Sequence, residues 1–110
     1  IFMANRDRDM NVDIKLPENI SRFKNLKQIL MDNCTSTCPE GICDLPNLEF
    51  LAFMNCPKLR TVPGCIADLP NLVFLNVKGS ENVKIPREIL EKADEMGKGM
   101  WDFNREFIGD

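Results

Sequence analysis

Two stretches decide the reading of this chain: Cys38 to Thr61, CPEGICDLPNLEFLAFMNCPKLRT, and Val62 to Lys84, VPGCIADLPNLVFLNVKGSENVK. Leu16 to Thr37, LPENISRFKNLKQILMDNCTST, aligns above them, and a fourth line opens at Ile85 as IPREILEK. The three complete lines are 22, 24 and 23 residues long. Pro17, Pro39, Pro63 and Pro86 share a column, preceded by Leu16, Cys38, Val62 and Ile85. Three residues after each proline stand Ile20, Ile42, Ile66 and Ile89. The columns continue with Phe23, Leu45 and Leu69, then Leu26, Leu48 and Leu72. Ile29, Leu51 and Leu75 come next, then Met31, Phe53 and Val77, and finally Cys34, Cys56 and Ser80.

The columns have a physical meaning. Leu51 and Phe53 alternate with Phe50 and Ala52, the period of a strand with one buried face. A strand this short cannot bury that face alone, whereas stacked copies pool their apolar residues into one core beneath a parallel sheet. The Pro-x-x-Ile-x-x-Leu stretch predicts a short helix or 3-10 turn that returns the chain, with proline tolerated in its first turn. Cys34, Cys56 and Ser80 fall where strand gives way to bend, and a small side chain there can satisfy backbone groups.

The pattern LxxLxLxxN/C at this period resembles the leucine-rich repeat superfamily. The lines LPxxIxxLxNLxxL are most similar to its class of roughly 23 residues per repeat, common among intracellular proteins. The resemblance spans about Phe2 to Ile89. It implies an α/β solenoid with a parallel sheet on the concave face and short helices or 3-10 turns on the convex face, closed by a C-terminal helical cap. It also implies a binding surface on the concave face whose side chains select a partner. The expected organisation is a partial leading repeat and surface loop over 1–15, three repeats over 16–84, and a partial repeat with the helical cap over 85–110.

The ends are read from the same columns. Ile14-Lys15-Leu16-Pro17 parallels Val83-Lys84-Ile85-Pro86, so Phe2 is expected in strand core, Asn5 at the bend position, and Arg6 to Asp13 in a surface loop. A chain that opens inside a repeat leaves core uncovered, so more protein is expected before Ile1, the alternative being a degenerate capping strand. Beyond Pro86, the spacing of Ile89, Leu90, Ala93 and Met96 predicts a helix that Gly97 and Gly99 can stop. Met100, Trp101, Phe103, Phe107 and Ile108 have no partner column and are expected to cap the last core face, the rival reading being a hydrophobic peptide that docks on another chain.

Composition narrows function. The chain has 110 residues and a net charge of −3, with a pI near 5.0. It carries no positive field to attract nucleic acid or anionic lipid, and its basic residues are scattered among acids. No apolar run is long enough to span a membrane, and the first residues lack a secretory signal pattern. Histidine and tyrosine are absent, which removes Cys-His and Ser-His-Asp mechanisms from this chain. Glu40, Asp44 and Asp68 are expected on convex turns, and Glu88, Glu91, Asp94 and Glu95 on the terminal helix, in a structural or solvated role. There is no phosphate-binding glycine loop. No enzyme, cofactor or metal is expected.

Cysteines Cys34, Cys38, Cys43, Cys56 and Cys65 lack the paired spacing of a zinc site. Cys43 aligns with Ala67 and Cys65 with Gly41, so all five read as small packing residues, a use that suits a reducing, intracellular compartment. Asn19-Ile20-Ser21 and Asn33-Cys34-Thr35 fit the glycosylation acceptor pattern and count only in a secreted protein.

The outward strand positions form three cross-strand rows: Gln28, Phe50 and Phe74; Leu30, Ala52 and Asn76; Asp32, Met54 and Lys78. An apolar patch around Phe50 and Phe74, flanked by Leu30, Ala52 and Met54, is expected to be a protein interface, the alternative being a patch covered by another segment of the same protein. Asp32 and Lys78 are expected to lend charge selectivity. The chain is thus expected to be a non-enzymatic interaction module. Alternatives are a structural subunit buried in a large assembly, or the sensing end of a larger receptor or enzyme. The sequence leaves the oligomeric state open.

Overall fold

The proline-led segments obey a three-residue period in their hydrogen bonds. Ile42 donates its N–H to the Pro39 carbonyl at 3.1 Å and Leu45 to that of Ile42 at 3.1 Å; Leu48 donates to Leu45 at 3.4 Å. Ile66 and Leu69 repeat the first two steps from Pro63, and Ile20, Phe23 and Leu26 repeat all three from Pro17. Bonds from i+3 to i wind a 3-10 helix, in which residues three apart lie above one another. This places Pro39, Ile42, Leu45 and Leu48 on one side of their segment. In the computed structural model, which describes residues 2–4, 16–80, 83–96, 101–102 and 108–109, the 3-10 turns are Ile20–Arg22, Glu40–Asp44 and Gly64–Asp68.

Each turn leads into a strand. β1 (Phe2–Ala4), β2 (Gln28–Asp32), β3 (Phe50–Met54), β4 (Phe74–Asn76) and β6 (Trp101–Asp102) form one open parallel sheet in the order β1-β2-β3-β4-β6. β5 (Ile85–Pro86) leads into the helix α1 (Arg87–Met96), which precedes β6. β5 also pairs in parallel with β7 (Ile108–Gly109). The chain is therefore α/β, with a parallel sheet and one described helix.

The core lies between turns and sheet. Ile20, Ile42 and Ile66 from the turns meet Ile29, Leu51 and Leu75 from the strands, all 0 % exposed, in one cluster with Met31, Phe53 and Val77. Asn47 and Asn71, the asparagines of the two LPNL stretches, donate through Nδ2 to the carbonyls of Lys24 (2.9 Å) and Pro46 (2.8 Å), one segment back.

The bends after the strands follow one design. Asn33, Asn55 and Gly79 take the left-handed conformation, with φ of 55°, 56° and 78°, which asparagine and glycine tolerate best. Each precedes a buried small residue: Cys34, Cys56 or Ser80. The thiols of Cys34 and Cys56 reach the carbonyls of Asp32 (3.1 Å) and Met54 (3.3 Å). The Ser80 hydroxyl accepts the Cys56 N–H at 3.0 Å and donates to the Phe53 carbonyl at 3.0 Å.

Four expectations need correction. First, β1 pairs Phe2 with Leu30 and Met3 with Met31, so the register aligns Met3, not Phe2, with the core column. Second, Phe23 is 47 % exposed, whereas Leu45 and Leu69 are buried. Its turn spans three residues against five in the others. Third, Trp101 has a partner column. It pairs with Leu75 in the sheet and is 6 % exposed. The ten-residue α1 stands where a 3-10 turn stands earlier, so a longer path separates Ile89 from Trp101 than Ile66 from Leu75. That length hid the alignment. Fourth, Cys43 and Cys65 are bonded to each other. Asn5, Arg6 to Asp13, Gly97, Gly99, Met100, Phe103 and Phe107 lie outside the described residues.

The disulfide follows from a stagger between segments. A Cβ placed on Gly41, two residues after Pro39, would meet Ile20 Cγ2 at 3.3 Å and Ser21 Cβ at 3.4 Å. Ser21 itself stands four residues after Pro17. The second residue after one proline thus packs on the fourth residue after the previous proline. Cys65 and Cys43 hold those same two places, with Cα atoms 5.9 Å apart. Comparing like columns sets Cys43 beside Ala67 and Cys65 beside Gly41, and this conceals the pair.

Candidate functional site

The outward face of the sheet carries the nine candidate residues in three rows. β2 and β3 pair Gln28 with Phe50, Leu30 with Ala52, and Asp32 with Met54. β3 and β4 pair Phe50 with Phe74 and Ala52 with Asn76. Alternation along β2, with Ile29 and Met31 buried and Gln28, Leu30 and Asp32 less so, sets which side chains face out. Lys78 lies beyond the end of β4; its carbonyl accepts the Asn55 N–H at 3.1 Å, which carries the third row past the strand.

Phe50 and Phe74 sit side by side with ring centroids 6.0 Å apart and planes inclined at 45°. Tilted pairs at this separation are favourable by about 0.5–1.5 kcal/mol beyond the area they bury. Leu30, Met54, Phe50 and Phe74 are half-buried, Gln28 and Lys78 exposed. Ala52 departs from expectation: it is 1 % exposed and offers no contact surface. It stands at the centre of the rows, paired with Leu30 on one side and Asn76 on the other.

The polar residues at the strand ends already have partners. Asp32 Oδ1 accepts a hydrogen bond from Asn55 Nδ2 at 3.1 Å, and Asn76 Oδ1 accepts the Lys78 N–H at 2.8 Å. These two bonds hold the bends against the sheet. The Asn55 contribution had a readable signal: a residue that tolerates left-handed backbone stands before the small buried residue in all three lines, as Asn-Cys, Asn-Cys and Gly-Ser.

Elsewhere, a cleft of about 410 Å³ opens beside the bend and turn residues Leu16, Glu18, Thr35, Pro39 and Lys58. The Ser36 hydroxyl on its wall is committed, accepting the Leu16 N–H at 3.1 Å and donating to the Thr37 carbonyl at 2.7 Å. No group of three or more His, Cys, Asp or Glu among the described residues is placed to hold a metal ion. Among the same residues, no helix is long and apolar enough to cross a membrane. Burial pushes the Cys56 thiol from 9.0 up to about 11 and raises that of Cys38 further. Both are therefore neutral and weakly nucleophilic at physiological pH.

Comparison with known proteins returns no match to any family model, any curated protein or any solved structure.

Proposed function

We propose that this chain is a segment of a leucine-rich repeat solenoid and acts as a non-enzymatic module that binds a protein partner through the outward sheet face. One observation carries the reading: equivalent positions of successive segments fall in register, which sets Phe50 against Phe74 on a face shared with Leu30 and Met54. Aromatic and aliphatic side chains clustered on a rigid sheet suit protein recognition, because little side-chain entropy is lost on docking. Gln28 and Lys78 frame the patch with polar groups. The three-residue period of the turns and the matching bends at Asn33, Asn55 and Gly79 support the solenoid part of the proposal.

A photo-crosslinking amino acid at Gln28, next to Phe50 in its row, tests the face. It is expected to form adducts with a partner protein in native extract, and the same group at the exposed turn residue Asp68 is not. Phe50→Ala is expected to weaken that association by roughly 2 kcal/mol or more. Equal adducts from both positions, or none from Gln28 in a folded chain, overturn the reading. A second reading, a subunit held permanently in a larger assembly, draws support from Phe23 and Val73, 47 % and 39 % exposed. A stable monomer on size exclusion would rule it out.

A further inference from the structure

The turn side of the core carries an acceptor sequence that the sheet-face reading does not use. Asn19-Ile20-Ser21 has the Asn-x-Ser form. Asn19 is exposed, together with Pro17 and Glu18 before it. It holds the N-cap place of the first 3-10 turn, where its carbonyl accepts the Arg22 N–H at 3.0 Å. Its side chain makes no capping hydrogen bond, which leaves the carboxamide at the surface. Ile20 between acceptor and hydroxyl is fully buried and anchors the segment.

The second acceptor sequence, Asn33-Cys34-Thr35, is placed differently. Asn33 is half-buried in a left-handed bend, its N–H bound to the Met54 carbonyl at 2.9 Å. Cys34 beside it is 1 % exposed. A bulky, hydrated glycan belongs on open surface, and of the two only Asn19 offers it.

An independent observation bears on the compartment. The Cys43–Cys65 bond ties the second turn to the third, and such bonds form and persist in oxidising environments. An acceptor sequence on open surface and a disulfide in the same small chain point to one route. We propose that Asn19 is an N-glycosylation site, modified as the chain passes through an oxidising secretory compartment. The donor is an oligosaccharide carried on a polyprenyl pyrophosphate. Asn19 Nδ2 attacks the anomeric carbon, forming the C–N bond and losing one proton. The C–O bond to pyrophosphate breaks, and the lipid pyrophosphate leaves with the electron pair; nothing is oxidised or reduced. The first turn lies across the core from the sheet, so the glycan leaves the Phe50–Phe74 face free.

Peptide mapping of the protein from its source cells, digested without reduction, tests this directly. Expected are a linked Cys43–Cys65 peptide and a glycan on the Asn19 peptide, whose removal by peptide N-glycosidase leaves aspartate at position 19. Asn19→Gln and Ser21→Ala are expected to abolish the modification, Ser21→Thr to retain it, and Asn33→Gln to leave it unchanged. An unmodified Asn19 in a chain with the disulfide formed overturns the site, as does a glycan on Asn33 alone. Free thiols at Cys43 and Cys65 overturn the route.

Discussion

Removing the Cys43–Cys65 bond has a magnitude that follows from where the two residues sit. They are separated by 22 residues, so the bond closes a loop of nearly one segment. In the chain-entropy account, a loop of this size restricts the unfolded chain by about 11 cal/mol/K, or roughly 3.4 kcal/mol at 25 °C. Unfolding a chain of 110 residues releases about 230 cal/mol/K near the midpoint, which translates that loss into a fall in Tm of roughly 15 °C. Cys65 is exposed and Cys43 half-buried, so serine fits both sites and the double variant Cys43→Ser/Cys65→Ser isolates the cross-link from packing. Scanning calorimetry of the variant beside the unreduced parent measures the shift. Dithiothreitol is expected to lower the parent to the level of the variant and leave the variant where it is. Denatured parent is expected to titrate three thiols, those of Cys34, Cys38 and Cys56. A shift under about 4 °C, less than 1 kcal/mol on the same conversion, would refute the reasoning; so would five thiols.

Three further outcomes follow from the bends and the buried thiols. Ser80→Ala removes the hydroxyl that joins Cys56 N–H to the Phe53 carbonyl and is expected to cost about 1–3 kcal/mol in urea denaturation, with Ser80→Cys costing less because cysteine fills the equivalent places. Gly79→Ala is expected to cost about 1–2 kcal/mol, since φ is 78° and the added Cβ would overlap Asn55 Oδ1; an unchanged denaturation midpoint would refute the bend geometry. Burial raises the folded-state pKa of Cys56 from 9.0 to about 11, so above pH 9 the unfolded chain loses that proton while the folded chain keeps it. Stability is therefore expected to hold below pH 9 and to fall as pH rises from there towards 11, as read by urea midpoints across the range; a midpoint that rises with pH would contradict the thiol's burial.

Much of the arrangement was legible because it depends on local periods. The three-residue step from Pro39 to Ile42, Leu45 and Leu48 is the step of a 3-10 turn, and the two-residue step from Leu51 to Phe53 is that of a strand. Both periods say which side of its own segment a side chain occupies, and lines of similar length then bring equal positions opposite one another. Thus Phe50 and Phe74 could be named as neighbours from the sequence, and so could the placing of Cys34, Cys56 and Ser80 at the bends. Helix α1 was equally readable from Ile89, Leu90 and Ala93.

What the periods leave undetermined is how one segment sits against the next. Cys65 meets Cys43, and Gly41 packs on Ser21, because neighbouring turns are offset by two positions; no column of like residues contains that offset. Ala52 is 1 % exposed in a strand whose two-residue alternation would turn it outward, so the period alone does not foretell its burial. Trp101 joins Leu75 only because α1 takes up the additional chain between Ile89 and the last strand of the sheet. The sequence by itself determined which face each residue of a segment presents, since backbone geometry dictates that within a few residues. The stagger of the turns, the burial of Ala52 and the pairing of distant cysteines were decided by the tertiary structure, because they depend on how segments some twenty residues apart pack, where volume and distance rather than periodicity select the contact.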